Sequence, residues 1–203
     1  MIKTITKATL PVMAAFALLF AGSSSFGQTS TSTSKSPTRN STMASTTALT
    51  DSQFAKQAAE GNYAEIKLGQ LAAQDGTSKT VQNFGQRMVA DHTEAENQLK
   101  TAAAKDKITL PTAVSAQDQA TYKTLSKLSG QQFDKAYAQD MVKDHKVDIA
   151  KFQHEANDGK DTSIKSFASK TLPTLQTHMR MAQQMSQKVS ASNTTNGTTT
   201  PIG

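Results

Sequence analysis

The sequence predicts an all-α protein, an antiparallel four-helix bundle, on three observations. Apolar residues recur at three- and four-residue spacing along four long stretches, which places them on one face of a helix. Aromatic residues make up only 5% of the chain and Trp is absent, a composition more typical of helices than of β-sandwiches. Two Asp-Gly pairs, at residues 75–76 and 158–159, divide the four stretches into two hairpins with short turns.

The first hairpin has sequence signals for the ends of both its helices. Thr50–Gln53 (TDSQ) has the pattern of a capping box, which predicts a helix over residues 51–74. The second helix is expected to begin after Thr77 or Ser78 and to end near Lys105. Because the turn between them is short, the two helices must be antiparallel.

A long connection separates the second hairpin from the first. Pro111 prevents the second helix from continuing, and the run SAQD from Ser115 can cap a short helix that ends near Gly130. The last two long helices are expected over residues 131–157 and 161–189. Because the connection is long enough to cross the bundle, the expected arrangement is ferritin-like, with a short extra helix in the crossover.

The two ends of the chain differ in composition from this bundle domain, which is expected over residues 50–189. Residues 1–27 have the pattern of a secretory signal peptide, with two Lys, an apolar run and small residues before a cleavage site at Gly27. The apolar run is too short to span a bilayer as a helix, and no later segment approaches that length. Residues 28–49 and 190–203 are rich in Ser and Thr, which predicts disordered segments.

Charge and motif content exclude several classes of function. The formal net charge is +6, but residues 51–188 hold 18 Lys and Arg against 16 Asp and Glu, interspersed, so we expect no nucleic-acid partner. The chain contains no Cys, which excludes disulfides, thiolate metal sites and a thiol nucleophile. Hydrolase motifs and phosphate-binding loops are also absent from the sequence, so a non-enzymatic protein is expected.

Polar residues interrupt the apolar faces of all four long helices. Their distances from the turns agree to about one helical turn within each hairpin, so we expect them in one layer of the core. A buried layer of carboxylates and imidazoles needs either mutual hydrogen bonds or a cation, and its donor atoms suit Fe, Mn or Zn. The candidate residues are Glu65, Asp91, His92, Asp144, His145 and His178.

Two interpretations of this layer stay open from the sequence. In the first, Asp-His pairs form interhelical hydrogen bonds that fix the register of the helices; in the second, the layer binds one or more divalent metal ions. Adjacent residues on a helix point about 100° apart, so only one of Asp91 and His92 can face the axis, and the same holds for Asp144 and His145. Met residues that follow His178 could bind Cu(I), although Met at this spacing is typical of core packing.

Several phrases in the sequence resemble a bacterial exported family of unknown function. They are FGQRMVADHTEAENQLK, MVKDHKVDIAKFQHEANDGKD and TLPTLQTH, the last of which ends at His178. Members of that family are often labelled outer-membrane proteins and grouped with ferritin-like folds. The resemblance implies export, periplasmic residence, a location peripheral to the outer membrane and polar core positions at the six candidate residues. It implies no established activity.

Together these observations predict an exported, non-enzymatic helical bundle of the bacterial envelope, acting in stress or envelope maintenance, with another envelope protein as a candidate partner. The alternative is a metal-binding or redox protein that uses the Asp/His/Glu layer. A complete di-iron site is disfavoured, because di-iron bundles carry two Glu-x-x-His pairs and this sequence contains none. The oligomeric state is not predicted.

Overall fold

The computed structural model describes residues 49–195, with side chains described through Ala191. The predicted signal peptide at residues 1–27, and all of the predicted linker at residues 28–49 except its last residue, lie outside the described residues. Every regular element in the described part is a helix, which confirms the all-α prediction. Within that part, no helix is both long enough and apolar enough to cross a membrane.

The helices follow the predicted order and nearly the predicted ends. The helix α3, in the crossover, ends before the predicted position near residue 130, and α5 continues six residues beyond its predicted end at residue 189. The five helices are α1 (Asp51–Asp75), α2 (Lys79–Lys105), α3 (Ala116–Leu125), α4 (Gly130–Asp158) and α5 (Thr162–Thr195).

The starts of the first three helices are capped by the residues that the sequence indicated. The hydroxyl of Thr50 accepts a hydrogen bond from the backbone of Gln53, and the Gln53 side chain accepts one from the backbone of Thr50, at 2.9 Å. The capping box is therefore confirmed. Ser78 and Ser115 accept equivalent bonds at the starts of α2 and α3.

Two apolar clusters lie at opposite ends of the bundle and give the direction of every long helix. The first cluster takes its residues from the start of α1, the end of α2, the end of α4 and the start of α5. The second cluster takes them from the opposite end of each helix. Thus α1 and α5 run in one direction and α2 and α4 in the other. The predicted antiparallel helical bundle is confirmed, and α3 packs against α1 and α4; the ferritin-like grouping stays a prediction.

Close backbone contact between two glycines holds α1 against α2. A Cβ atom on Gly69 would lie 2.7 Å from the carbonyl oxygen of Gly85, and one on Gly85 would lie 2.6 Å from that of Gly69. No side chain fits at either position without moving a backbone. The contact fixes the relative position of two helices that contribute to the polar layer described next.

A layer of buried polar side chains separates the two apolar clusters. On each long helix the layer falls where one cluster ends and the other begins. On α2, for example, His92 lies between Met88 of the second cluster and Ala95 of the first. The buried polar side chains at this level are Asn62, Glu65, His92, Glu96, His145 and His178.

Candidate metal centre

Three histidines from three helices meet in this layer. His92 comes from α2, His145 from α4 and His178 from α5, and none is more than 4% exposed. Their ring centroids are 5.4 Å apart for two of the pairs and 6.0 Å apart for His92 and His145. One ring nitrogen from each histidine lies within 4.8 Å of the other two. We call this set the three-histidine centre.

The hydrogen bond to His92 defines which of its nitrogens carries the proton. Nδ1 of His92 lies 3.0 Å from Oδ1 of Asn62, and Nδ2 of Asn62 donates to Oε2 of Glu96 at 3.2 Å. Because a carboxylate accepts, the amide nitrogen of Asn62 must face Glu96 and its oxygen must face the imidazole. Nδ1 of His92 is therefore the donor, which leaves the lone pair on Nε2.

The other two histidines are oriented by acceptors in the same way. Nδ1 of His145 donates to the backbone carbonyl of Met141 at 3.0 Å, and Nε2 of His178 donates to Oδ2 of Asp91 at 2.8 Å. Asp91 also accepts from Arg87. Burial acts to raise the pKa of Asp91, but its hydrogen bonds from Arg87 and His178 outweigh burial and lower it. The ionised carboxylate then holds the proton of His178 on Nε2.

Each histidine is left with one nitrogen that carries a lone pair. These atoms, Nε2 of His92, Nε2 of His145 and Nδ1 of His178, have no hydrogen-bond partner among the described residues. A buried acceptor without a partner costs about 1–3 kcal/mol. Metal-bound histidines, in contrast, usually donate their second ring N–H to a carboxylate or carbonyl, as all three rings do here.

The spacing of the rings is compatible with one ion. A tetrahedral ion with bonds of about 2.0–2.1 Å holds its nitrogen ligands about 3.4 Å apart. Since one ring nitrogen from each histidine lies within 4.8 Å of the other two, each pair has to approach by at most about 1.4 Å.

The three imidazoles are held in the neutral form. Burial, and then the charge of a protonated His178, lower the pKa of His145 to about 4. Burial also lowers the pKa of His92 well below its usual range, and it lowers that of His178 more than Asp91 raises it. Neutral imidazole is the form that binds a metal ion, so no proton has to be displaced near pH 7.

A pair of carboxylates adjoins the three-histidine centre. Ligand atoms of Glu65, Asp144 and His145 lie within 4.8 Å of one another, and Oε1 of Glu65 is 3.9 Å from Nδ1 of His145. Glu65 is 1% exposed, and neither of its oxygens has a hydrogen-bond partner in the part of the chain that the structure describes. Burial, and then the charge of Asp144, raise the pKa of Glu65 well above its usual range.

The six residues predicted from the sequence thus occupy three different positions. The histidines form the centre, and Glu65 with Asp144 forms the adjoining carboxylate pair. Asp91 belongs to neither group, because its carboxylate binds Arg87 and orients His178. As expected of neighbours on a helix, one member of each Asp-His pair is buried in the core, and in both pairs it is the histidine.

Two groups that shape the centre were not among the predicted residues. Asn62 lies three residues before Glu65 on the buried face of α1, so helical spacing could have identified it. The carbonyl of Met141 could not have been identified, because a backbone group has no signal in the sequence. Both accept a hydrogen bond from an imidazole, which is why they matter to the site.

Two other features of the sequence lie away from the centre. His154 is exposed and pairs with Asp158 at 3.0 Å. Met185 is buried in the second apolar cluster, and Met181 packs against the same cluster. Their positions are those of core side chains, and they give no support to a Cu(I) site.

The histidines and their acceptors all lie within a segment that is shared with other proteins. Residues 35–185 match the family described as a domain of unknown function, DUF4142. No curated protein and no solved structure matches the chain. The family match covers more than half of the chain, from before α1 into the last third of α5. The chain therefore belongs to the DUF4142 family.

Proposed function

We propose that this protein binds one divalent transition-metal ion in its core, through Nε2 of His92, Nε2 of His145 and Nδ1 of His178. The observation that carries the proposal is the set of three partnerless lone pairs, each on a ring whose other nitrogen is already hydrogen bonded. A layer that served only to lock the helices together would pair these atoms with donors instead.

The donor set favours particular ions among those that the sequence suggested. Imidazole suits Zn, Fe, Cu and Ni, whereas Mn prefers carboxylate, carbonyl and water oxygens. Of Fe, Mn and Zn, the centre is therefore best matched to Zn²⁺ or Fe²⁺. Three protein ligands leave a coordination position open, which water can fill.

Burial of the centre favours a role in holding the ion over catalysis on a large substrate. With each histidine at most 4% exposed, a large organic substrate cannot contact the ion directly. Export to the periplasm belongs to the proposal on the strength of the signal sequence. The function proposed is thus that of an exported, non-enzymatic metal-binding protein.

A structural role without metal is the second candidate, because two interhelical contacts favour it. The hydrogen bond between His178 and Asp91 joins α5 to α2 at 2.8 Å, as an interhelical lock would. His145, however, bonds to the backbone of its own helix, and Asp144 makes no hydrogen bond to a histidine among the described residues. The hydrogen bond between His92 and Asn62 joins α2 to α1, so the lock interpretation explains two of the three rings but none of the three partnerless lone pairs.

The test is a titration of the metal-free full chain with Zn²⁺, followed by calorimetry and by thermal unfolding. We expect one ion per chain and a rise in stability of RT ln(1 + [Zn]/Kd), which is about 2.7 kcal/mol at a hundredfold excess over Kd. His92→Ala, His145→Ala and His178→Ala should each weaken binding by at least about 100-fold, because three ligands become two.

His154→Ala is the matched control, since His154 is the one exposed histidine among the described residues. It should bind Zn²⁺ as the unaltered chain does. Two results would count against the proposal: no stabilisation of the unaltered chain by Zn²⁺ or Fe²⁺, or equal loss of affinity in the control and in the core variants. The first result would favour the structural role.

A further inference from the structure

A cavity of about 420 Å³ lies on the face of the bundle that α1, α3 and α4 form, beside the three-histidine centre. Its lining includes only two Lys, so its charge is strongly negative. The carboxylates that line it are Glu60, Glu65, Asp118, Asp140, Asp144 and Asp148.

An acidic surface alone does not make a cation site, but Glu65 supplies an independent observation. Glu65 lines the cavity, yet it is 1% exposed and both of its oxygens lack a partner among the residues that the structure describes. Burial of a carboxylate in this state is costly unless a proton or a cation neutralises it. Among the described residues no Lys or Arg pairs with Glu65, and the neighbouring Asp144 adds a second carboxylate beside it.

The remaining carboxylates of the cavity repel one another, which also favours binding of a cation. Burial, and then the charge of Asp144, raise the pKa of Asp148 to about 6, and burial likewise raises that of Asp140. The ammonium of Lys151, 3.3 Å from Asp148, offsets part of this charge. A divalent cation would neutralise the rest.

The cavity is wide enough for a cation that keeps its water. Since one water occupies about 30 Å³ in the liquid, 420 Å³ corresponds to on the order of ten water molecules. Gly61 on α1 keeps part of the wall open, because a Cβ atom there would point at Oδ2 of Asp148, at 3.7 Å. A longer side chain at this position would extend into the cavity.

We infer that the acidic cavity is the route by which a hydrated divalent cation reaches the three-histidine centre, and that Glu65 transfers the ion to the histidines. The inference rests on the proposed function. Oε1 of Glu65 is 3.9 Å from Nδ1 of His145, so an ion bound to Glu65 lies one imidazole ring away from the lone pair on Nε2 that faces the centre. Carboxylates that line a cleft concentrate cations there and raise their association rate by about 10–1,000-fold.

The test is the rate at which the metal-free full chain binds Co²⁺, followed by stopped-flow absorption. Asp140→Asn with Asp148→Asn removes two carboxylates that line the cavity but belong neither to the three-histidine centre nor to the Glu65–Asp144 pair. We expect association to slow by at least about tenfold and to depend less on ionic strength, with an unchanged final amplitude. Because Asn relieves the repulsion, the double variant should fold, which circular dichroism can check.

Asp75→Asn with Asp158→Asn is the matched control, because it removes the same charge from two exposed positions outside the cavity. Its rate should stay within about twofold of the unaltered chain. Gly61→Leu adds a test without change of charge: by filling the cavity it should also slow association.

The outcomes separate this inference from the proposed function. If the unaltered chain binds Co²⁺ and the cavity variants associate as fast as the control, the route is wrong and the metal centre stands. If the unaltered chain binds no Co²⁺, both are wrong. Slower association in the cavity variants alone supports both.

Discussion

The two hairpins of the bundle make equivalent hydrogen bonds to each other's turns but contribute different residues to the three-histidine centre. Asp51, at the start of α1, accepts hydrogen bonds from two backbone N–H groups in the α4–α5 turn. Asp134, near the start of α4, accepts two from the α1–α2 turn, both at 2.8 Å. A shift of 83 residues relates the two carboxylates, and the same shift relates their donors. Each hairpin thus holds the turn of the other.

At the centre the same shift relates unlike residues. Asn62 corresponds to His145, and Ala95 corresponds to His178, so the second hairpin supplies two of the three imidazoles. The 83-residue repeat therefore covers the hydrogen bonds at the turns but not the histidines of the centre. One ion bound asymmetrically fits this difference better than the symmetric pair of ions that two Glu-x-x-His helices would hold.

The largest effect should come from removing Asp134, the more buried of the two aspartates that hold the turns. Asp134 is 3% exposed, and Asp134→Ala leaves two N–H groups of the α1–α2 turn without their acceptor. We expect a loss of about 3 kcal/mol in the free energy of unfolding, measured by urea denaturation without metal. Asp51→Ala, at the less buried equivalent position, should cost about 1 kcal/mol. Equal losses would contradict this difference between the hairpins.

A second prediction concerns Asp148, a carboxylate of the cavity that the 83-residue shift relates to Glu65 in the first hairpin. Burial, and then the charge of Asp144, raise the pKa of Asp148 from 3.8 to about 6. The folded chain therefore keeps a proton at this site that the unfolded chain releases near pH 4. The stability that this proton contributes is complete below pH 3.8 and is lost as the pH rises through about 6.

Asp148→Asn cannot ionise, so the variant should gain stability relative to the unaltered chain as the pH rises from 4 to 7. Two pKa units correspond to about 3 kcal/mol, so we expect a gain of about 2–3 kcal/mol in metal-free protein. The lowered histidine pKa values destabilise both proteins in acid and cancel in the difference. Parallel pH profiles for the two proteins would rule out a raised pKa at Asp148.

A third prediction concerns Asn62, the residue of the first hairpin that corresponds to His145 in the second. Asn62→Ala removes the acceptor for Nδ1 of His92 and frees that ring to rotate. Loss of such an orienting partner should weaken Zn²⁺ binding by about 10–100-fold in calorimetry. Asn97→Ala, at an exposed position of α2, should leave the affinity unchanged. The same small change in both variants would show that Asn62 does not orient the ligand.

The smallest effect is expected at the end of α2, where Lys107 occupies a left-handed backbone position that favours glycine. Lys107 has φ of 55°, and the N–H of Ile108 donates to the carbonyl of Ala103 at 2.9 Å, which is a Schellman ending. Lys107→Gly should stabilise the protein by about 0.5–1 kcal/mol, because glycine adopts this conformation without steric strain. Ala90→Gly, at an exposed position inside α2, should instead destabilise it by about 1 kcal/mol in the same denaturation experiment.

Most of the fold could be predicted from the sequence, because helical spacing and capping residues are local signals. The end of α5 could not: the Ser/Thr-rich composition after residue 189 argued against a helix, yet the structure continues it to Thr195. Adding residues to a formed helix costs far less than starting one, so weak helix formers can extend it.

The candidate site could be predicted only in part. Spacing placed one member of the Asp91–His92 pair at the core but could not say which, since that depends on how α2 is rotated against its neighbours. Only the packed bundle shows that His92 faces inward and that Asp91 binds His178. The acidic cavity also required the structure, because Asp118 reaches it from the crossover helix.

The central claim is that one ion is bound by three imidazoles, and X-ray absorption at the Zn edge of the loaded full chain tests it most directly. The account predicts one Zn²⁺ per chain, with a nitrogen-rich shell at about 2.0–2.1 Å and the multiple-scattering pattern of three imidazole rings. His178→Ala should reduce that pattern to two rings, and His154→Ala should leave it at three. A shell of oxygen atoms without imidazole scattering, or a shell unaffected by His178→Ala, would contradict the claim.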